Sequence, residues 1–248
     1  MRATTAAAAT ATSSNGERRF TVQILRRGWH HPGMSLQIDH IVVCVADLDE
    51  AARQFEQDHG VLSVEGGRHP GHGTANRLIP LDGSYIELLA VVSPKEAKTS
   101  PLGTWALHRA AVPGADGVCL RTEDLDSVTD RLGLEQMEMS RVTPDGVILE
   151  WRLAGLKQAL AKRVPFFIAW DVPADLHPGR ADVEHPAGEV RLVDVEMRGD
   201  PEHVRRLGEW APEPEGLSYV PAVDGDPEIA FRLVVGDKAV EGEPSAVL

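Results

Sequence analysis

From residue 37 onward, the hydrophobic and polar positions follow patterns typical of strands and helices. Residues 38–45 are mostly apolar and rich in β-branched side chains, which predicts a buried strand. Residues 47–49 (Asp-Leu-Asp) supply a helix N-cap, and Ala51 and Phe55 then fall on one helical face before Gly60. Three further strands are predicted at residues 61–65, 76–81 and 85–91, with turns at Gly66-Gly67 and Asp82-Gly83.

The same β-α-β-β-β order recurs, with a constant offset of 77 residues. Residues 116–126 repeat the apolar strand and the Asp-Leu-Asp helix start of residues 39–49. Strands at residues 137–142, 147–153 and 165–170 complete the second copy. A repeat of this length indicates a duplicated supersecondary unit rather than a solenoid. The predicted fold class is therefore α+β with tandem βαβββ units, at residues 37–92 and 115–171.

The flanking segments differ from the two units. Residues 1–36 are rich in Ala, Thr, Ser and Arg, so we expect a disordered N-terminal tail or a non-native start, with Met34 as an alternative start. An organelle transit segment has a similar composition. Residues 172–189, rich in Pro, Gly, Asp and His, are predicted to connect to a third, degenerate βαβββ-like unit at residues 190–248.

Charge and composition exclude several classes of partner. The formal net charge is −13, which argues against a nucleic-acid partner, since such partners are held by an excess of Lys and Arg. The chain contains no apolar run long enough to cross a membrane. Cys44 and Cys119 are the only cysteines and have no metal-binding spacing, so we expect two core thiols, a reducing compartment and a cytoplasmic location.

Several segments resemble the glyoxalase-like domain group of the vicinal oxygen chelate superfamily. They are residues 39–43, 67–78 and 85–89 in the first unit and residues 144–146, 151–152 and 165–168 in the second. The resemblance implies a curved, barrel-like mixed sheet around a cleft, with helices on the outer face. It leaves the reaction open, because the superfamily contains lyases, isomerases, dioxygenases, thiol transferases and drug-sequestering proteins.

The resemblance also implies a metal site built from the first and last strands of each unit. In the first unit these strands supply His40 and Glu87 as metal ligands, and the Gly-rich loop could add His72. The second unit departs from the pattern, since Gly117 falls opposite His40 and Ala169 is expected opposite Glu87. Imidazole and carboxylate ligands suit Zn, Fe, Mn, Ni or Co without choosing among them.

Each candidate residue also has a structural interpretation. Glu87 lies in an otherwise apolar strand and needs a metal, a raised pKa or a charge partner, for which Arg121 is the candidate. His40 could be a core histidine with satisfied hydrogen bonds. Glu87 and His69 are the candidate catalytic residues, because either could move a proton near a bound substrate.

Substrate contacts are predicted at the loop and along the second unit. Thr74 and Asn76 could donate hydrogen bonds to a ligand or close a turn. Arg121 could bind an anionic group, and Arg152 is its alternative. Trp151 and Phe167 could form an apolar cleft wall or pack in the core. His177 and His185, in the polar connector, are expected at the surface.

Three functions are compatible with these patterns, and one of them is a structural or partner-binding role for the duplicated sheet. The first is a glyoxalase-like enzyme in which a divalent metal polarises the vicinal oxygens of a small substrate. The alternative is a metal-free protein that binds or sequesters a small ligand in the same cleft. The third unit lacks a mate within the chain, so a homodimer is also predicted.

Overall fold

A computed structural model describes residues 35–112, 114–143, 146–225, 228–236 and 238–242. Most of the predicted N-terminal tail lies outside these residues, as do Pro144 and Asp145 of the second unit's resemblance segment. No helix in the described part of the chain is long and apolar enough to span a membrane.

An eight-stranded mixed sheet forms the larger part of the molecule. Its first half contains β1 (Gln37–Cys44), α1 (Leu48–His59), β2 (Val64–His69), β3 (Thr74–Pro80) and β4 (Tyr85–Val91). Its second half contains β5 (Gly117–Arg121), α4 (Leu125–Leu132), β6 (Gln136–Val142), β7 (Ile148–Ala154), α5 (Leu156–Lys162) and β8 (Phe166–Trp170). The strands are hydrogen-bonded in the order β2-β3-β4-β1-β5-β8-β7-β6. The two halves have the same internal strand order, and they join through the antiparallel pair β1–β5. This curved, nearly closed sheet confirms the predicted α+β fold class.

The helix signals act at the expected positions. Asp47 caps α1 by accepting a hydrogen bond from the backbone N–H of Glu50, and Gly60 ends the helix in the left-handed region, at φ 65°. Asp124 caps α4 in the same way through Ser127. The repeated Asp-Leu-Asp motif therefore starts the equivalent helix in both halves.

Strand parity divides the apolar residues between the two faces of the sheet. On β1, Ile41 and Val43 belong to the outer-face core with the helices, where Phe55 of α1 is also buried. Val42 and Cys44 belong to a smaller apolar cluster on the inner face. The inner face is covered by helix α3 (Pro101–Arg109), which follows the short helix α2 (Pro94–Ala97). The sequence analysis predicted neither helix, although each begins with a Ser-Pro pair.

The glycine pair at Gly66-Gly67 lies inside β2 rather than in the predicted turn. The register between β2 and β3 shifts between Glu65 and Gly67, which makes Gly66 the extra residue of a β-bulge. A Cβ at Gly66 would overlap the Oδ1 atom of Asn76 on the neighbouring strand. Close packing against Asn76, rather than chain reversal, therefore requires this glycine.

The C-terminal segment forms a second sheet of four strands. It contains β9 (Val190–Gly199), α6 (Pro201–Trp210), β10 (Leu217–Pro221), β11 (Ile229–Val235) and β12 (Lys238–Gly242). The elements follow the β-α-β-β-β order, but the strand order is β10-β9-β11-β12, with β9 parallel to the strand that follows its helix. In the first two units, by contrast, the first strand pairs in parallel with the last strand.

Candidate active site

The inner face of the large sheet encloses a mostly apolar cavity of about 130 Å³. By this measure one water molecule needs about 10 to 15 Å³, so the cavity has room for a ligand of about ten heavy atoms. Polar and ionisable side chains gather on its first-half wall: His40, His69, His72, Asn76, Tyr85 and Glu87. The second-half wall is largely apolar and aromatic: Met137, Met139, Trp151, Leu153, Phe166, Ile168 and Trp170.

His40 and Glu87 lie next to each other on the polar wall. They are on the parallel strands β1 and β4, and Nε2 of His40 is 3.6 Å from Oε2 of Glu87. The His40 side chain is almost completely buried, and its ring stacks on Tyr85 at a centroid distance of 4.5 Å. These two groups thus offer one nitrogen and one oxygen to the cavity.

The carboxylate of Asp39 orients the His40 ring through the ring nitrogen that does not face Glu87. Simple strand alternation would place neighbouring side chains on opposite faces, but the β1–β5 register shifts between Ile38 and His40, so Asp39 is the extra residue of a bulge. His40 Nδ1 donates a hydrogen bond to Asp39 Oδ1 at 2.6 Å. Because Nδ1 carries that hydrogen, Nε2 of a neutral His40 presents its lone pair toward Glu87 and the cavity.

Two more side chains hold the carboxylate of Asp39. Oδ2 accepts hydrogen bonds from Nε1 of Trp170 and Nε2 of His177, both at 2.9 Å. Nδ1 of His177 accepts from the backbone N–H of Gly179, which fixes the ring as the Nε2–H tautomer. Burial opposes the charge of Asp39, but the hydrogen bonds from His177 and His40 outweigh burial and hold the pKa of Asp39 well below its usual range.

The structure corrects the expected exposure of the connector histidines. His177 is buried beneath the sheet, where it contacts Asp39. His185 is half-buried, accepts a hydrogen bond from the backbone N–H of Leu62 and contacts the carbonyl of Pro80. The polar composition of the connector gave no indication of these contacts, because a few inward-facing side chains are enough to attach a segment that is otherwise exposed.

Asn76 and His69 flank the other oxygen of Glu87. Asn76 donates a hydrogen bond to Oε1 of Glu87 at 2.6 Å and accepts one from the backbone N–H of Gly67 at 2.7 Å. His69 Nε2 lies 3.9 Å from the same oxygen, and Thr74 holds its Nδ1 at 3.0 Å. Burial lowers the pKa of His69, and the charge of Glu87 opposes that shift.

His72 occupies the same end of the cavity. It lines the cavity wall, and its buried Nδ1 has no hydrogen-bond partner among the described residues. A buried imidazole nitrogen without a hydrogen-bond partner destabilises the folded state. Its presence at the cavity wall points to a bound group that pairs with this nitrogen when the site is occupied.

Other predicted site residues lie away from this cavity. Arg121 shares the β5 face of Cys119 but sits at the end of the strand, where its guanidinium binds the Gln37 side chain and the carbonyl of Gly83 rather than Glu87. Phe167 is fully buried on the outer face, near Trp210. Strand parity instead turns Phe166 into the cavity, while Trp151 lines the cavity, one of its two predicted alternatives, and its ring centroid lies 5.3 Å from that of Trp170.

The register also corrects the expected counterpart of Glu87 in the second half. Val42 pairs with Glu87, and Cys119, which lies 77 residues after Val42, pairs with Phe166. Phe166 rather than Ala169 is therefore equivalent to Glu87, because the strands of the two halves are not spaced identically. With Gly117 in place of His40, the second half contributes no ligand at either equivalent position.

Arg141 is a cavity residue that the sequence analysis missed. It lies near the end of edge strand β6, and its Nη1 donates to the carbonyl of Gly66 on the opposite edge strand β2, at 3.0 Å. Its half-buried guanidinium lines the cavity. Only the closure of the curved sheet brings these two edges together, so no local sequence signal identifies the residue.

A curved, duplicated sheet around a cavity with histidine and carboxylate groups on its wall is the architecture of the vicinal oxygen chelate superfamily. A family model described as "Glyoxalase-like domain" matches residues 38–211, more than two thirds of the chain. The chain belongs to the glyoxalase-like domain family, which confirms the resemblance stated from the sequence.

The chain is similar to several solved structures, one of them with a TM-score above 0.5. A protein of Staphylococcus aureus, described as hypothetical, is 21% identical, with a TM-score of 0.56 over 83% of this chain and 84% of that chain. A methylmalonyl-CoA epimerase from Mycobacterium tuberculosis is 21% identical, with a TM-score of 0.40 over 55% of this chain and 89% of that one. A variant of the Streptomyces coelicolor methylmalonyl-CoA epimerase, in complex with 2-nitronate-propionyl-CoA, is 19% identical, with a TM-score of 0.41 over 56% and 99%. No curated protein matches the chain.

A glycine-to-alanine pair tests how β2 positions Asn76. Gly66→Ala should lower the free energy of unfolding by about 1 to 3 kcal/mol, because the new Cβ overlaps Asn76 Oδ1 and must displace that side chain from Glu87. Gly67→Ala is the matched control, since its Cβ would meet nothing closer than Arg141 Cδ at 3.7 Å. Urea unfolding of both variants measures the effect, and equal stabilities would contradict this role for Gly66.

Proposed function

We propose that this protein is a small-molecule enzyme of the vicinal oxygen chelate type, in which His40 and Glu87 bind a divalent metal ion. The observation that carries the proposal is the arrangement Asp39–His40–Glu87 at the wall of the cavity. An imidazole oriented by a carboxylate through its other nitrogen is the usual environment of a metal-binding histidine. The reaction class, whether lyase, isomerase or dioxygenase, belongs to the same proposal and is left open.

The donor set fits a divalent transition metal. Two ligands that each lie about 2.1 Å from one ion are about 3.0 to 3.6 Å apart, and His40 Nε2 and Glu87 Oε2 are separated by 3.6 Å. His72, with its unpartnered Nδ1, would have to move to act as a third ligand, because Asp39, His40 and Cys119 are the trio of potential ligand residues found within 4.8 Å of one another in the described part of the chain. Two or three protein ligands leave coordination positions for the two oxygens of a substrate.

A second donor group fits less well. Among the described residues, the ligand atoms of Asp39, His40 and Cys119 lie within 4.8 Å of one another. Both oxygens of Asp39 already accept hydrogen bonds. Burial, together with the charges of Asp39 and Glu87, raises the pKa of the Cys119 thiol well above its usual range, and a thiol must lose its proton to bind a metal. Asp39 is better placed as a support for His40 than as a ligand.

A metal bound at this site would polarise a carbonyl or similar oxygen of the substrate. His69 is the residue best placed to move a proton, since it is half-buried and held by Thr74 beside Glu87. Asn76 keeps one oxygen of Glu87 occupied, which leaves the other directed at His40. Glu87 thus serves as ligand first, and as an alternative base when the metal site is empty.

Metal analysis tests this proposal directly. Protein purified without a chelator or a histidine tag should contain a near-stoichiometric divalent metal, and His40→Ala and Glu87→Gln should each lose it, because each removes one of two strand-borne ligands. His108→Ala is the matched control, since His108 is exposed on α3. The measurement is elemental mass spectrometry with a circular dichroism check of folding. Folded wild type that neither contains nor takes up Zn, Mn, Fe, Ni or Co would rule out the metal enzyme.

The second candidate is a metal-free protein that binds a small ligand in the same cavity. The specific observation in its favour is the second half of the site, where Gly117 and Phe166 replace the expected ligands and Trp151 and Trp170 provide aromatic surface. Binding of apolar ligands by a metal-free, fully folded wild type, unchanged in His40→Ala, would favour this function.

A homodimer and a cytoplasmic location remain part of the proposal. Cys44 and Cys119 are both buried free thiols, which suits a reducing compartment. A clean monomer mass in light scattering would contradict the dimer.

A further inference from the structure

We propose that Arg141 binds the carboxylate of the ligand, so that the cavity selects small aromatic or branched monocarboxylates. This inference extends the proposed function by naming a ligand class, but its test does not require a metal. It depends on four features of the cavity: the unused donors of Arg141, the charges around it, the apolar surface beside it, and the volume available.

Arg141 has more hydrogen-bond donors than the protein uses. A guanidinium offers five N–H groups, and the hydrogen bond from Nη1 to the Gly66 carbonyl accounts for one. Within the described part of the chain, no carboxylate oxygen lies within 4.0 Å of its nitrogens. The other arginine of the cavity wall, Arg163, differs because it forms an ion pair with Glu228. A half-buried cation with unused planar donors favours an anion, and a carboxylate matches its two-pronged geometry.

The surrounding charges favour a singly charged ligand. Tyr85, Glu87 and His69 interact electrostatically with Arg141, and burial raises the pKa of Tyr85 well above its ordinary value. A monocarboxylate would balance Arg141 without a large repulsion from Glu87. A dianion such as a phosphate monoester would bring excess negative charge beside Glu87 in a poorly hydrated space.

The apolar surface beside Arg141 defines the rest of the ligand. Met139 lies two residues before Arg141 on the same face of β6 and pairs across the sheet with Trp151. Trp151 and Trp170 form a continuous aromatic wall, with ring centroids 5.3 Å apart. A planar or branched apolar body would lie on this wall, while its oxygen function faces His40 and Glu87. The cavity's volume of about 130 Å³ limits such a molecule to roughly the size of one aromatic ring with a short acid side chain.

The alternative role for Arg141 is purely structural, as a link between edge strands β2 and β6. Arg141→Gln separates the two roles, because glutamine keeps an N–H donor for the Gly66 carbonyl but removes the charge. Arg152→Gln is the matched control on the neighbouring strand β7. Its guanidinium binds Asp171 and Gln136 on the other face of the sheet, away from the cavity lining.

The experiment compares benzoylformate with its neutral amide by isothermal titration calorimetry, on chelator-treated and on metal-loaded protein. Wild type should bind the acid about tenfold or more tightly than the amide in both preparations. Arg141→Gln should lose that preference while keeping the amide affinity, Arg141→Lys should retain part of it, and Arg152→Gln should bind like wild type. Phenyl phosphate should bind more weakly than benzoylformate.

Several results would overturn the inference. They are equal affinity of wild type for acid and amide, no binding of either at about 10 mM, unchanged selectivity in Arg141→Gln, and tighter binding of phenyl phosphate. If Arg141→Gln weakens the amide as much as the acid, the residue is structural. If wild type takes up no divalent metal but still selects the acid through Arg141, the metal enzyme is refuted and this inference stands, so the two failures are distinguishable.

Discussion

Asp39→Asn is expected to lower the free energy of unfolding by about 3 to 5 kcal/mol and to weaken metal binding about 10- to 100-fold. The wild-type carboxylate is completely buried and accepts hydrogen bonds from His40, His177 and Trp170. An asparagine amide has one acceptor oxygen and an NH₂ group that cannot accept, so at least one buried N–H would face another donor. His40 would also lose the partner that fixes its Nδ1–H tautomer. Urea unfolding measures the first effect, and competition with a metal indicator measures the second.

Asp194→Asn provides the control for that substitution. Asp194 forms an ion pair with Arg232 in the C-terminal sheet, where both side chains are substantially exposed. Exposed pairs contribute about 0 to 1 kcal/mol, so the control should stay within that range and bind metal like wild type. If Asp39→Asn were no more destabilising than Asp194→Asn, the three hydrogen bonds to Asp39 would not be important for the fold.

The sequence predicted the parts of the molecule that depend on local signals and strand parity. The repeated Asp-Leu-Asp motif marked both helix starts, and strand β4 was predicted with the bounds Tyr85–Val91 that it has. Parity on two strands was enough to place His40 and Glu87 on one face, and the structure brings their side chains within 3.6 Å. Their predicted role as metal ligands stays a prediction.

The sequence could not predict the support around His40. Asp39 faces the same side as His40 because it is the extra residue of a bulge, which interrupts the alternation of side chains just before His40. His177 reaches Asp39 from a distance of 138 residues along the chain. Arg141 enters the cavity because two edge strands at opposite ends of the sheet meet. Long-range geometry decides all three positions, and hydrophobic patterns carry little information about it.

The two halves of the sheet have diverged in what they supply. The first half provides His40, Glu87 and the loop histidines, whereas the second half provides Phe166 and an aromatic wall. A duplicated unit needs only one set of reactive groups per cavity, so the second copy is free to specialise in holding the ligand. This division agrees with a site in which chemistry and recognition come from opposite walls, and Arg141 is one of the charged residues on the recognition side.

Gly179→Ala tests whether the connector holds this site together. Gly179 packs directly on the turn before β4, where a Cβ would lie 2.5 Å from the carbonyl oxygen of Ser84 and 2.7 Å from its nitrogen. The Gly83 N–H also donates to the Gly179 carbonyl at 2.8 Å, and the Gly179 N–H donates to His177. Because backbone atoms cannot yield as a flexible side chain can, the methyl group must push the connector away. We expect a loss of about 1 to 3 kcal/mol in stability and about 10-fold weaker metal binding, as His177 no longer holds Asp39.

Gly208→Ala is the matched substitution, and it should have the opposite sign. Gly208 lies in helix α6, and a Cβ there would meet nothing within 4 Å. Alanine favours the helix over glycine by about 1 kcal/mol, so this variant should be slightly more stable than wild type and bind metal equally well. Thermal unfolding and metal titration of the two variants side by side separate the general effect of glycine replacement from the contact at Gly179. If Gly179→Ala lost stability but kept full metal affinity, the connector would stabilise the sheet without orienting His40, and Asp39 alone would suffice to position the imidazole.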